Sequence, residues 1–406
     1  MKKVIIFSLL LIAGLAGSQI LPGAAGVSYP AVSKTISLLT LCALAFIMIH
    51  VGYEFEIEKD RLKSYGWDYL VAMTAAAFPW IFVALYFIYI MLPPELWINW
   101  DAWKEVMLAS RFAAPTSAGV LFSMLAAAGL ASTWMYRKTR ILAIFDDLDT
   151  VLLMIPLKMM IVGLAWQLGF AVVVMVVFLW LAWRFMHLLP IPVKWNWVLI
   201  YSAGIVVVTE VVYYLTKSID PDVPIHIEVL LPAFVLGVMI KYPEGAGNHG
   251  HEPSGTGGDD SDIEARVSTI ISALFMILVG LNMPLIFGTS GDLSAASTIT
   301  GSQPAMSAGE IAFHVFAVTV ISNLGKMFPA FVYRKEAHWR ERLAIAIGMW
   351  PRGEVGAGII IISLSYGIGG PVVTVAVLSL ALNLLLTGIF IWFVKHLLAG
   401  VPVKNL

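Results

Sequence analysis

The chain has 406 residues, of which 60% are hydrophobic and only 13% charged, about half the roughly 25% charged fraction of a soluble domain. That composition excludes an ordinary water-soluble globule, and a formal charge of −1 gives no footing for a nucleic-acid partner. The single cysteine, Cys42, excludes an intramolecular disulfide framework and a cysteine metal cluster, and no residue pattern calls for a cofactor.

Apolar stretches of about 20 residues, the length that crosses a bilayer, give twelve spans in an all-α polytopic membrane protein. They lie near 4–22, 34–53, 67–92, 104–133, 140–163, 166–186, 196–215, 226–241, 263–288, 308–333, 342–366 and 371–397. Lys2 and Lys3 ahead of an apolar run have the form of a cleaved leader. The run continues to Leu21, however, which is long enough to span and is read as the first helix.

An ionisable side chain inside a span costs roughly 2.5–3.5 kcal/mol at the helix centre on insertion scales, so each one is a functional candidate. These are Asp146, Asp147, Asp149, Lys158, Glu210, Lys326, Arg352 and Glu354, with Arg111 and Glu228 nearer span ends. In the fourth span, residues 113–119 read AAPTSAG and place Pro115, Thr116 and Ser117 amid apolar neighbours. The fifth opens with IFDDLDT at 144–150, three carboxylates within four residues. Adjacent helical residues diverge by about 100°, so Asp146 and Asp147 look in different directions, while Asp146, Asp149 and Thr150 share a face. One carboxylate can pair with a protein cation while another faces a water-filled cavity. The alternative, acidic residues favouring a helix amino end, fits less well because the basic run 137–140 marks the membrane edge a turn earlier.

The longest internal loop, 243–261, is rich in Gly, Asp and His and reads as a flexible hinge; His249 and His251 fit a solvated linker better than a metal or pH-sensing site. In the eleventh span, residues 350–356 read WPRGEVG, a second break, with Arg352 and Glu354 inside it. These two charges are expected to satisfy helix ends across the break. Interrupted helices in corresponding positions of two halves point to a midplane binding site. Threading the spans from a cytoplasmic amino end puts eighteen Lys and Arg on one side and only Lys34, Lys104 and Lys217 on the other. That asymmetry predicts both termini inside and an even number of spans.

The fourth-span break, Phe145-Asp146-Asp147 and the Pro351-Arg352-Gly353-Glu354 segment together resemble the bacterial monovalent cation:proton antiporter superfamily, close to NapA-type sodium/proton antiporters and Kef-type relatives. Supporting matches are LPAFVLG at 231–237, FMILVGL at 275–281 and Leu324-Gly325-Lys326. The resemblance implies the NhaA/NapA-like fold, inverted repeats with two crossing discontinuous helices. It also implies a homodimer in the cell inner membrane serving pH homeostasis. Scaffold and dimerisation helices would occupy 1–60 and 190–290, core transport helices 65–165 and 308–398, and a linker helix 166–189. Asp147 matches the family's cation- and proton-binding carboxylate, and Asp146 the partner that pairs with Lys326. Thr116 and Ser117 would complete an oxygen shell for a hard cation, with Asp147 and Asp146 as its metal-binding carboxylates. Asp149 departs from the pattern, since the family has an apolar or small residue there, and is a possible accessory group. The amino end lacks one helix of thirteen-span relatives, and the absence of a nucleotide-binding domain after residue 406 argues against Kef-like gating.

The expected activity is therefore secondary antiport of Na+ or Li+ against protons, not enzymatic catalysis. Coupled carboxylates release protons in steps that belong to the cluster, and competition of cation and proton for one site couples the fluxes. With Asp146, Asp147 and Lys326 all present, exchange is expected to be electrogenic. K+/H+ antiport and sodium-coupled organic-anion symport are the alternatives. A channel would show conductance without proton coupling. An aspartyl hydrolase would need carboxylates converging from separate helices.

Overall fold

In lipid every backbone polar group must be satisfied internally, so a chain this apolar has only helices or a closed barrel open to it. The computed structural model describes residues 2–53, 62–162, 166–219, 225, 227, 229–241, 259–283, 298–304 and 306–399. Most of the 243–261 loop, with His249 and His251, lies outside them, as do Glu228 and the side chain of Glu354.

The helices are α1 (Lys2–Ala25), α2 (Tyr29–Tyr53), α3 (Leu62–Tyr86), α4 (Trp100–Ser110), α5 (Ala118–Ala127), α6 (Trp134–Val162), α7 (Trp166–Arg184) and α8 (Trp195–Ile219). There follow α9 (Leu230–Met239), α10 (Asp259–Leu281), α11 (Ala308–Gly325), α12 (Phe328–Phe331), α13 (Trp339–Gly348), α14 (Glu354–Ser365) and α15 (Gly370–Leu398). Each of the twelve predicted spans falls on one or two of these helices. Among the described residues, six helical runs are long and apolar enough to cross a bilayer unaided: Lys2–Tyr53, Tyr65–Met91, Trp195–Ile219, Ile263–Leu281, Ala308–Phe331 and Gly370–Leu398. The fourth and eleventh spans are each divided into two short helices, α4 with α5 and α13 with α14.

Two boundaries differ from the sequence reading. The helix of the fifth span, α6, begins at Trp134 rather than near residue 140, and Lys138 and Arg140 on it are buried. The tenth span is not continuous: α11 ends at Gly325, Lys326 forms its carboxyl cap, and α12 restarts at Phe328. A Cβ on Gly325 would lie 2.6 Å from the backbone nitrogen of Pro79, so the helix end is drawn against α3 as no larger residue would permit.

The chain forms two compact units, one of Met1–Tyr29, Leu62–Leu157 and Val279–Leu406, the other of Pro30–Arg61 and Lys158–Leu278. In the first, α15 packs against α1, α11 and α13, and α11 also lies on α3. In the second, α9 packs on α7 and α8, and α2 crosses α9 at Gly52 and Gly237. A Cβ on Gly237 would run into the Ile49 carbonyl oxygen. The backbones meet there because neither position carries a side chain.

Candidate functional site

The two interrupted spans meet within the first unit. Ser110 closes α4, a tight turn spans Arg111–Ala113, and Ser117 caps α5, its hydroxyl accepting from the Val120 N–H at 3.4 Å. Across the crossing, the Ser117 N–H donates to the Pro351 carbonyl at 2.9 Å, and the Thr116 hydroxyl to that of Met349 at 3.1 Å. A Cβ on Gly353 would stand 3.0 Å from the Ser117 hydroxyl oxygen. The amino ends of α5 and α14 both start at this point, and such ends carry partial positive charge suited to an anionic group.

That group is Asp146. Its Oδ2 accepts from the Thr116 N–H at 2.8 Å and from the Lys326 ammonium at 2.8 Å, with both charged side chains fully buried. The break after α11 delivers Lys326 to the crossing, and α6 delivers the carboxylate. Asp147, one residue on, is 6% exposed and Asp149 is 1% exposed. Tyr69 of α3 hydrogen-bonds Asp149. Thr150, on the same face of α6, directs its hydroxyl back to the Asp146 carbonyl at 2.8 Å. Thr116 and Ser117 are buried in the same crossing.

Arg352 occupies the second break and reaches out of it in several directions. Nε donates to the Ala113 carbonyl at 2.9 Å, Nη2 to Ser322 at 2.9 Å, and Nη1 to the Asn323 amide oxygen at 2.6 Å and the Trp350 carbonyl at 3.3 Å. The guanidinium thus takes up carbonyls left over where α4, α11 and α13 end, groups that would otherwise be orphaned in a low-dielectric interior. Asn383 of α15 joins through Asn323 at 2.9 Å.

Sequence reasoning missed a second polar cluster in the same unit. Asp68 of α3, 1% exposed, receives the Lys138 ammonium at 2.8 Å and the Tyr333 hydroxyl at 2.7 Å. Lys138 also reaches Glu336 at 3.2 Å. The signal was present in Asp68 itself, an acidic residue in an apolar stretch beginning near residue 67. Of the remaining sequence candidates, Lys158 is half-buried on α6. Glu210 sits beside the contact of Lys34 with the Tyr214 hydroxyl, 2.5 Å long, on α2 and α8.

Residues 3–395 match the family described as sodium/hydrogen exchanger, transmembrane. Among solved structures, the chain is similar to the sodium proton antiporter MjNhaP1 from Methanocaldococcus jannaschii at pH 8, with a TM-score of 0.58 and 14% identity. The match covers 94% of this chain and 91% of that one. A comparison with curated protein sequences gives no match. The shared fold and a family match running nearly end to end identify the chain as a multi-pass membrane transporter rather than an enzyme. It belongs to the sodium/hydrogen exchanger family.

Proposed function

We propose that Asp147 is the carboxylate at which cation and proton compete, that Na+ or Li+ is the preferred cation, and that exchange is electrogenic. The observation carrying this reading is the fully buried Lys326–Asp146 pair, 2.8 Å long, at the crossing of the two broken spans. Asp146 is held by the ammonium and by the Thr116 N–H, and Asp147 is the buried carboxylate next to it on α6. Oxygen atoms of Thr116, Ser117 and the unwound backbone supply the neutral ligands a hard monovalent cation takes. When the cation draws Asp146 away from Lys326, the ammonium loses its counter-charge and releases a proton, so more than one proton moves per cation. Helices in 65–165 and 308–398 would carry this site past a scaffold formed by 1–60 and 190–290, joined by the linker at 166–189. The protein would work as a homodimer in the cell inner membrane with both termini in the cytoplasm.

The test is proton flux in proteoliposomes challenged in turn with Na+, Li+ and K+, with the membrane potential clamped by potassium and valinomycin during the Na+ runs. Exchange with Na+ and Li+ that shifts with potential is expected, and Asp147→Asn should abolish it in a folded, inserted protein. Retained coupled flux in that variant removes Asp147 from the mechanism. A preference for K+ would reassign the substrate, and a rate and reversal point indifferent to potential would make exchange electroneutral.

A further inference from the structure

The Asp68 cluster has no place in the mechanism above, yet it lies on the same two stretches of chain as the Asp146–Lys326 pair. Asp68 of α3 holds the Lys138 ammonium through both oxygens, at 2.8 and 3.0 Å, and its Oδ1 also accepts from the Tyr333 hydroxyl at 2.7 Å. All three residues are buried, and the Tyr333 ring lies 4.4 Å from the Lys138 ammonium and edge-on to Trp134. Lys138 stands eight positions before Asp146 on the same helix, α6, about 12 Å along its axis. Tyr333 follows Lys326 by seven positions, across the short helix α12.

Helix α3 touches both stretches again nearer the site. Tyr69, next to Asp68, hydrogen-bonds Asp149 and meets Phe145 edge-on, with ring centroids 5.5 Å apart. Phe145 and Asp149 follow Lys138 by seven and eleven positions, a spacing that puts all three on one face of α6. Pro79 meets Gly325, the residue before Lys326, too closely for a Cβ to fit. A lysine and a carboxylate buried together need each other wherever they lie. What singles this pair out is its placement. Asp68 closes a frame whose other corner is the Asp146–Lys326 pair, so α6 and the Lys326 stretch are joined at two points instead of one. Separating Lys326 from Asp146 therefore works against the Asp68 junction.

We infer that Asp68 is a positioning residue for exchange: by holding Lys138 and Tyr333 together it favours the paired state of Asp146 and Lys326, and so sets how much cation is needed to open that pair. The inference rests on the site reading given under the proposed function and adds a second junction that tunes cation affinity. A contact made in one of two states lowers the population of the other, and a ligand that needs the other state binds more weakly in proportion. Loosening the junction thus tightens apparent Na+ binding, the opposite of what general damage does to a transporter.

Na+-driven proton flux in proteoliposomes, run over a range of Na+ concentrations, separates KM from maximal rate. Asp68→Asn, which keeps the volume and removes the charge, should lower the apparent KM for Na+ by about threefold to tenfold, the scale of losing a charge-assisted bond. Tyr333→Phe, which leaves the Lys138 contact in place, should lower it by a smaller factor. Asp68→Glu, which keeps the charge, should lie closer to wild type than Asp68→Asn does. A KM that is unchanged or raised in Asp68→Asn overturns the inference, and so does an Asp68→Glu protein that matches Asp68→Asn. Should Asp68→Asn fail to fold, Tyr333→Phe decides: a lowered KM supports the junction, and an unchanged or raised one overturns it. Wild-type protein without Na+ exchange would instead sink the underlying assignment, a failure visible before any variant is made.

Discussion

The two compact units bury very different material. In the unit built around the crossing, Asp68, Arg111, Lys138, Arg140, Asp146, Asp147, Asp149, Lys326 and Arg352 are all buried. In the unit of α2 and α7–α10, no charged side chain is buried among the described residues. Its buried hydroxyls on Thr40, Ser202 and Thr209 bond carbonyls of the preceding turn of their own helices. A hydroxyl satisfied that way makes no demand on a neighbour or a ligand. Charges buried in lipid-embedded helices do, because each must find a partner or cost several kcal/mol. Among the described residues, buried charge is therefore confined to the first unit.

The contrast can be broken at its strongest point by Arg352→Ala. That change orphans carbonyls at three helix ends, and removing one partner from a buried charged arrangement costs about 3–5 kcal/mol. Thermal unfolding in detergent should show a large drop in Tm, while the apparent Na+ affinity of the surviving protein changes little. The reverse pattern would place Arg352 on the transport path. In the other unit the equivalent weak point has no charge at all. Gly237→Ala forces a methyl group into the Ile49 carbonyl, and overpacking of this kind costs about 1–3 kcal/mol. The same unfolding assay should register it, with no change in cation selectivity in flux measurements. Ser202→Ala should be nearly silent, within about 0.5 kcal/mol, since the hydroxyl only returns to Val198 on its own helix. A larger loss would mean that this unit too depends on polar contacts.

Most of the architecture was legible in the sequence because the bilayer imposes it. Span lengths follow from thickness, and the proline-bearing AAPTSAG and WPRGEVG segments sit where the helices break. The break at Lys326 is marked more quietly, by Gly325 at the end of α11 and Pro329 in the first turn of α12, within a stretch apolar enough to read as one span. The partners of Arg352 were also invisible. Three are backbone carbonyls, which have no sequence signature, and Asn323 is an amide 29 residues away. Arg111 was noted among the candidates as lying nearer a span end; its contact with the Asp149 carbonyl was not legible, since a backbone acceptor leaves no mark in the sequence. The partner of Lys138 was invisible for a similar reason: the carboxylate it meets lies 70 positions earlier.

The hydrogen bond from the Ser117 amide to the Pro351 carbonyl has an evolutionary consequence. It joins the two broken spans through peptide groups alone, so nearly any residue can stand at 117 or 351 without removing it; only proline at 117 would delete the donor. A junction of that kind tolerates exchange of the side chains around it while the backbone path stays the same.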